Sequence, residues 1–245
     1  MIEIYDNYKE FGILTRKITE GKEFDMVRKF IDFKKNEFNK TSENDLAIFI
    51  EPKVNNAYPD VVFVEYNPDN YEKWIPNRNN ISNIELKILY HMISSGPLNA
   101  SDIVAQLGVN WKDVMLSVEK LYDSKLIQRR NKNWSVKSKK TIFLNKIEAV
   151  EAKIGKVNDV LQQAIINKAF ASESYILSNK NAKVNATWDK FEEFGIGIYL
   201  NEDDHFLRYK KSNINSFPVS FQSILFNEWI GRILNSSDYR GAIND

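Results

Sequence analysis

The spacing of apolar residues changes period twice along this chain, and that double change limits the folds open to it. Leu46-Ala-Ile-Phe-Ile50 is a continuous apolar run of strand length. Asp60-Val-Val-Phe-Val-Glu-Tyr66 repeats the pattern after the turn-rich Val54-Asn-Asn-Ala-Tyr58. Beyond the turn residues Asn67-Pro-Asp-Asn70 and the polar stretch Asn77–Ser82, the period becomes helical at Ile84, Leu86, Ile88, Leu89, Met92 and Ile93. Strand patterning returns at Thr141-Ile-Phe-Leu144 and Ile147-Glu-Ala-Val-Glu-Ala-Lys153. The arrangement predicts a discontinuous α/β domain over 1–80 and 141–245, with a separate domain at 81–140 spliced into it. Such an insertion is tolerated at a strand connection when its ends lie close together.

Within the outer domain, Lys22 to Asn39 places Phe24, Val27, Phe30, Ile31 and Phe38 near helical spacing. Val157 to Ala171 does the same with Val160, Leu161, Ala164, Ile165, Ala169 and Phe170. Ser174–Leu177 and Gly195–Leu200 read as strands, Phe206–Tyr209 as an edge strand, and Phe221–Leu234 as a terminal helix of this domain. Trp188, Phe191 and Phe194 fit one helix face and are expected in the core. The fold class is α/β with a mixed sheet.

The inserted block has its own punctuation. Its first helix stops at Ser95-Gly96-Pro97. Ser101 can cap a short helix that runs through Leu107 to Gly108, and Asn110 can cap a longer one carrying Val114, Leu116, Val118, Leu121 and Tyr122. Leu126-Ile127-Gln128, Arg129-Arg-Asn-Lys-Asn133 and Trp134-Ser-Val136 then suggest a two-stranded hairpin. Over residues 82–138 this pattern resembles a winged helix-turn-helix. The resemblance implies that Asn110–Lys125 enters the DNA major groove while the hairpin touches backbone, with Lys112, Arg129, Arg130 and Lys132 as phosphate contacts. Lys125, Arg129, Arg130, Lys132, Lys137, Lys139 and Lys140 form a basic run with no acid among them. A merely solvated basic face, or a module that docks protein, remains open beside the DNA reading. Trp111 and Trp134 are expected to pack.

Composition removes several chemistries. The absence of cysteine excludes disulfides, thiolate zinc sites and a cysteine nucleophile. His91 and His205 lie far apart in sequence, which gives histidine acid–base catalysis little support. No run approaches the length of a membrane span, and Met1–Tyr8 has no signal-peptide core, so the expected setting is the cytoplasm, with no membrane partner. A net charge of +1 decides nothing as a total.

Glu151-Ala-Lys153 sets a carboxylate and an amine two residues apart on a strand, where both point to one face and Ala152 offers its carbonyl. Pro59-Asp60 opens an earlier strand. Similar triplets at Glu20, Glu51 and Glu85, and at Asp32 and Asp123, lack that order or lie off strands. With Val160-Leu-Gln-Gln-Ala164, Asn167-Lys-Ala-Phe-Ala171 and Ser174–Leu177 following, the chain resembles the PD-(D/E)xK (restriction-endonuclease-like) nucleases over roughly 22–80 and 141–200. The gap between Asp60 and Glu151 exceeds that family's usual one, and the inserted block accounts for the excess.

The resemblance implies a catalytic set of Asp60, Glu151, Lys153 and Gln163, with Gln162 as the alternative glutamine. Asp60, Glu151 and the Ala152 carbonyl would bind Mg²⁺ (Mn²⁺ as substitute), and Glu51 would be a supporting acid. The function expected is a Mg²⁺-dependent endonuclease of restriction, repair or phage-defence type acting on double-stranded DNA, alone, as a homodimer or with further subunits. The alternatives are an inactive DNA-binding regulator and a targeting subunit of a larger assembly.

Overall fold

A strand that is apolar on both faces needs cover on both, and the chain provides it. The computed structural model describes residues 1–18, 20–41, 43–138, 141–155, 158–179 and 186–236, and divides into two units. The first, Met1–Asn67 with Leu144–Val219, is mixed α/β. Its seven-stranded sheet runs in the order β1 (Ile2–Ile4), β2 (Asp45–Ile50), β3 (Val61–Tyr66), β6 (Leu144–Lys153), β7 (Glu173–Asn179), β8 (Gly197–Glu202) and β9 (His205–Lys210). Neighbours pair antiparallel at β2/β3, β3/β6 and β8/β9, and parallel at β1/β2, β6/β7 and β7/β8. The helices α5 (Asn158–Asn167) and α6 (Ala186–Glu193) make the β6/β7 and β7/β8 crossovers, and the helix Lys22–Glu37 lies in the β1/β2 crossover.

α1 (Lys22–Glu37) covers one face of this sheet, with Met26, Val27, Phe30 and Ile31 packed on Ile48, Val61, Phe63, Val150 and Leu177. The opposite face is covered through Val160, Ala164, Trp188 and Phe191, against Ile176, Ile198 and Leu200. Phe194 departs from its expected core position and is 50% exposed, because α6 ends at Glu193 and the chain turns at Gly195. Val157, the expected start of α5, lies outside the described residues, as do Lys139 and Lys140 of the basic run.

Glu148 on β6 is buried, and its oxygens meet the ammoniums of Lys34 and Lys146, each at 2.9 Å, and the Tyr199 hydroxyl at 3.2 Å. Burial pushes the carboxyl up, but the two ammoniums outweigh burial and hold it below the usual carboxylate range. A depressed pKa stabilises the fold above the unfolded value, and the benefit disappears as pH falls through the folded one. Glu148→Gln is therefore expected to cost about 1–3 kcal/mol near neutrality and to flatten the acid limb of the stability curve. Thermal denaturation from pH 3 to 7 checks this; parallel wild-type and variant curves would refute it.

The second unit is Pro68–Phe143 together with the chain's end from Ser220. It holds α2 (Asn83–Ser95), α3 (Ala100–Leu107), α4 (Trp111–Asp123), the hairpin β4 (Ile127–Arg130) with β5 (Asn133–Val136), and α7 (Phe221–Leu234). Its core joins Leu86, Leu89 and Met92 of α2 to Ile103, Val114, Val118, Leu121 and Ile224. The unit boundaries fall at 67/68 and 143/144 rather than 80/81 and 140/141, and α7 belongs here because Ile224 enters this core. α3 is capped by Asn99, not Ser101: the Asn99 side chain accepts from the Asp102 amide, and Asp102 returns the bond. Gly108 in the left-handed region and the Asn110 cap make the turn from α3 into α4.

Candidate active site

The β2, β3 and β6 registers carry three acids to one end of the sheet. Ile50 pairs with Val61 and Val61 with Val150, so one step further along the ladder Glu51, Asp60 and Glu151 stand in a row across neighbouring strands. The Glu51 amide donates to the Asp60 carbonyl at 3.1 Å, which continues the β2/β3 ladder through the first pair of the row. The same register puts Asp60 beside Ala152, whose amide donates to Asp60 Oδ2 at 2.7 Å.

The segment before α1 supplies the cation that meets this row. Leu14 and Arg16 pair their main chains with Lys53 and Glu51. This alignment brings the Arg16 guanidinium onto Glu51, through Nε and Oε2, and to 3.9 Å from Asp60 Oδ1. The Glu51 bond and the nearby charges of Asp60 and Glu151 raise the Arg16 pKa. Glu51, a non-glycine residue at φ 46° and the supporting acid expected from the sequence, is ion-paired with Arg16. Arg16 itself lies in a segment of no regular element, where sequence periodicity carries no signal.

The electrostatics of the row are those of crowded carboxylates. Burial pushes Asp60 up to about 6, with the Ala152 amide opposing and Glu51 adding to the rise. Glu151 is 2% exposed and raised well above the usual range, first by burial and then by Asp60. One Glu151 oxygen accepts from Asn167 Nδ2 at 2.7 Å. Asn167, like Arg16, is a residue that sequence reasoning missed. Gln163, expected beside the acids, is exposed on α5 together with Gln162, while Asn167 one turn later is fully buried and touches Glu151. The other amide atom, Asn167 Oδ1, is buried without a hydrogen-bond partner among the described residues.

Lys153 at the end of β6 has its ammonium 3.0 Å from Glu23 Oε1 in the first turn of α1, and Glu23 also accepts from the Ile154 amide at 3.2 Å. A cleft of about 380 Å³ opens here, lined by Arg16, Glu23, Glu51, Asp60 and Ala152 among others. Asp60 is among the lining residues, whereas Glu151 and Lys153 are not. Among the described residues no three His, Cys, Asp or Glu side chains are arranged to hold a metal ion. The donor set still fits a hard divalent cation in kind. Asp60, Glu151 and the Ala152 carbonyl offer oxygen atoms, the donor type that Mg²⁺ prefers, and Mg²⁺ characteristically takes only one or two carboxylates and completes its shell with water.

Lys112, Arg129, Arg130 and Lys132 are exposed, and all four lie in the second unit. Trp134 is half-buried, its ring edge-on to Tyr122 at 5.9 Å, whereas Trp111 is 55% exposed, contrary to the packing expected of it. Among the described residues no helix is long and apolar enough to cross a membrane. No protein-family model, no curated protein and no solved structure matches the chain.

Proposed function

We propose that the protein is a divalent-metal-dependent endonuclease of the PD-(D/E)xK type that cuts double-stranded DNA, with residues 82–138 forming a winged helix-turn-helix that positions the duplex. One observation carries the proposal: three acids aligned across adjacent strands, two of them with raised carboxyl pKa values, are met by a single guanidinium. Such crowding is costly to keep without a further positive charge. A divalent cation held by Asp60, Glu151 and the Ala152 carbonyl would supply charge stabilisation at the phosphate and a more acidic bound water. Within the chain, Asn167 fixes the Glu151 carboxylate, the Ala152 amide fixes Asp60, and Glu51 holds Arg16 at the lip of the cleft. Lys153, its ammonium paired with Glu23, would orient the attacking water. The helix–turn–helix–hairpin order of α2 to β5 and its exposed basic hairpin support the DNA-binding half of the reading.

A second reading, an inactive scaffold serving as a DNA-binding regulator or targeting subunit, is favoured by one feature. Lys153 is engaged by Glu23, and the acids are not arranged as a closed metal cage. Incubation with supercoiled plasmid separates the two. The nuclease reading expects nicking with Mg²⁺ or Mn²⁺ that EDTA abolishes, and a Lys153→Ala rate lower by about 10²–10³. One such site cuts one strand, so a linear product would require two copies acting together. Salt-sensitive DNA binding with no cleavage under any metal would select the regulator.

A further inference from the structure

We infer that the outer face of α4 reads the C5-methyl groups of pyrimidines in the DNA major groove, so that the preferred duplex carries suitably placed thymine or 5-methylcytosine. The inference rests on the winged-helix reading above and adds to it the mark that is recognised. Val114, Ser117, Val118 and Leu121 turn inward on α4. Trp111, Lys112, Met115, Leu116 and Glu119, at successive spacings of one, three, one and three residues, form the outward stripe of its first turns. Trp111 is 55% exposed, Met115 41% and Leu116 48%. Three large apolar side chains therefore stand in water on the helix that would face the groove, beside one ammonium and one carboxylate.

That inventory suits only part of what duplex DNA displays. Base edges in the major groove are read by hydrogen-bonding side chains, and of these the stripe offers only Lys112 and Glu119, with no Arg, Asn or Gln beside its three large apolar residues. The apolar mark in the groove is the C5-methyl group, which thymine always carries and cytosine carries when methylated. An apolar stripe would also suit a protein surface, and charge decides between the two. Trp134 is tied by paired main-chain bonds to Leu98 at 2.7 and 2.9 Å, packs edge-on to Tyr122 of α4, and lies 5.3 Å beneath the Arg129 guanidinium. The hairpin is thereby fixed against α4, and it presents Arg129, Arg130 and Lys132 to solvent. A cationic hairpin fixed at Tyr122 to the helix that carries the apolar stripe complements a polyanion whose groove carries apolar groups.

The test uses the full chain in EDTA, so that nothing is cut. Duplexes retained from a randomised pool are sequenced, and affinity is measured by fluorescence anisotropy. The selected duplex is compared with its uracil-for-thymine form and with forms in which its cytosines are methylated at C5. Each contacted methyl lost is expected to weaken binding about fourfold. Loss on uracil substitution assigns thymine, and gain on cytosine methylation assigns 5-methylcytosine. Trp111→Ala and Met115→Ala should bind the thymine and uracil forms alike. Arg130→Ala should weaken both forms equally and reduce the salt slope by about one. Firm binding that is indifferent to uracil and to cytosine methylation would overturn the inference and leave the winged-helix reading standing. No retained duplex would overturn both; self-association lost in Trp111→Ala would then make this face a protein interface.

Discussion

Asparagine in place of Asp60 is expected to slow plasmid cleavage by about a thousandfold while making the metal-free protein more stable above pH 7. On the proposed nuclease reading, the first effect follows from removing one of the anionic oxygens that would hold the cation, where a loss of about 4 kcal/mol in transition-state stabilisation is about three powers of ten in rate. The second follows from the same row of acids. Asp60 is raised by burial to about 6, from an ordinary value of 3.8. A carboxyl whose folded pKa lies above its unfolded one contributes stability that is fully present below the unfolded value and lost as pH rises through the folded one. Between about pH 4 and pH 7 the wild type should therefore lose on the order of 3 kcal/mol that the neutral variant retains. The asparagine carbonyl can still accept the Ala152 amide, so the exchange removes charge with little change of shape.

Melting curves at pH 4, 6 and 8, in EDTA and in millimolar Mg²⁺, separate the electrostatic claim from the catalytic one. The gap between variant and wild type should open with pH in EDTA and close when Mg²⁺ binds the wild type. A gap that is the same at pH 4 and pH 8 would mean that the acids are not crowded in solution. An Asp60→Asn protein that cuts at the wild-type rate would remove Asp60 from the chemistry altogether.

What the sequence could disclose tracks the physical origin of each signal. β2 and β3 were legible as nearly continuous apolar runs and β6 through Ile147, Ala149, Val150 and Ala152 between its charges, and Asp60, Glu151 and Lys153 were singled out by their places at the head of β3 and on β6. β1 was not legible, since three residues pairing at a parallel edge leave too short a pattern. Leu116 counts among the apolar residues that mark its helix, yet helix geometry buries Ser117 and turns Leu116 to water. Asn167 was within reach: Val160, Ala164 and Asn167 share one buried stripe, and a polar residue on such a stripe asks for a partner. Arg16 and Glu23 reach the site by tertiary approach from residues far from β6 in sequence, so no local pattern announces them. Likewise α7, at the chain's end, joined the second unit through packing that its own periodicity does not specify.

That packing rests on an ion pair whose loss should be the largest stability effect in the second unit. Arg78, in the short helical turn Pro76–Asn80 that leads into α2, is 4% exposed, and Glu228 on α7 is fully buried. Arg78 Nε donates to Glu228 Oε2 at 3.1 Å, and Nη2 engages Glu228 Oε1 and the Thr141 carbonyl. The guanidinium lies 4.1 Å from the Trp74 ring centre, and Asn227 Nδ2 donates to Glu228 Oε1 at 3.0 Å. Glu228→Ala leaves that guanidinium buried with no carboxylate, which is expected to cost about 3–5 kcal/mol, a large share of the 5–15 kcal/mol that typically holds a domain. Arg78→Met with Glu228→Leu removes both charges and fills the space with apolar atoms, and should recover most of the loss. Urea unfolding followed by circular dichroism should show an early helical transition in the single variant that the double variant lacks. If Glu228→Ala unfolds within about 1 kcal/mol of the wild type, the pair is solvated in practice, and the hold of α7 on the unit is apolar packing through residues such as Ile224.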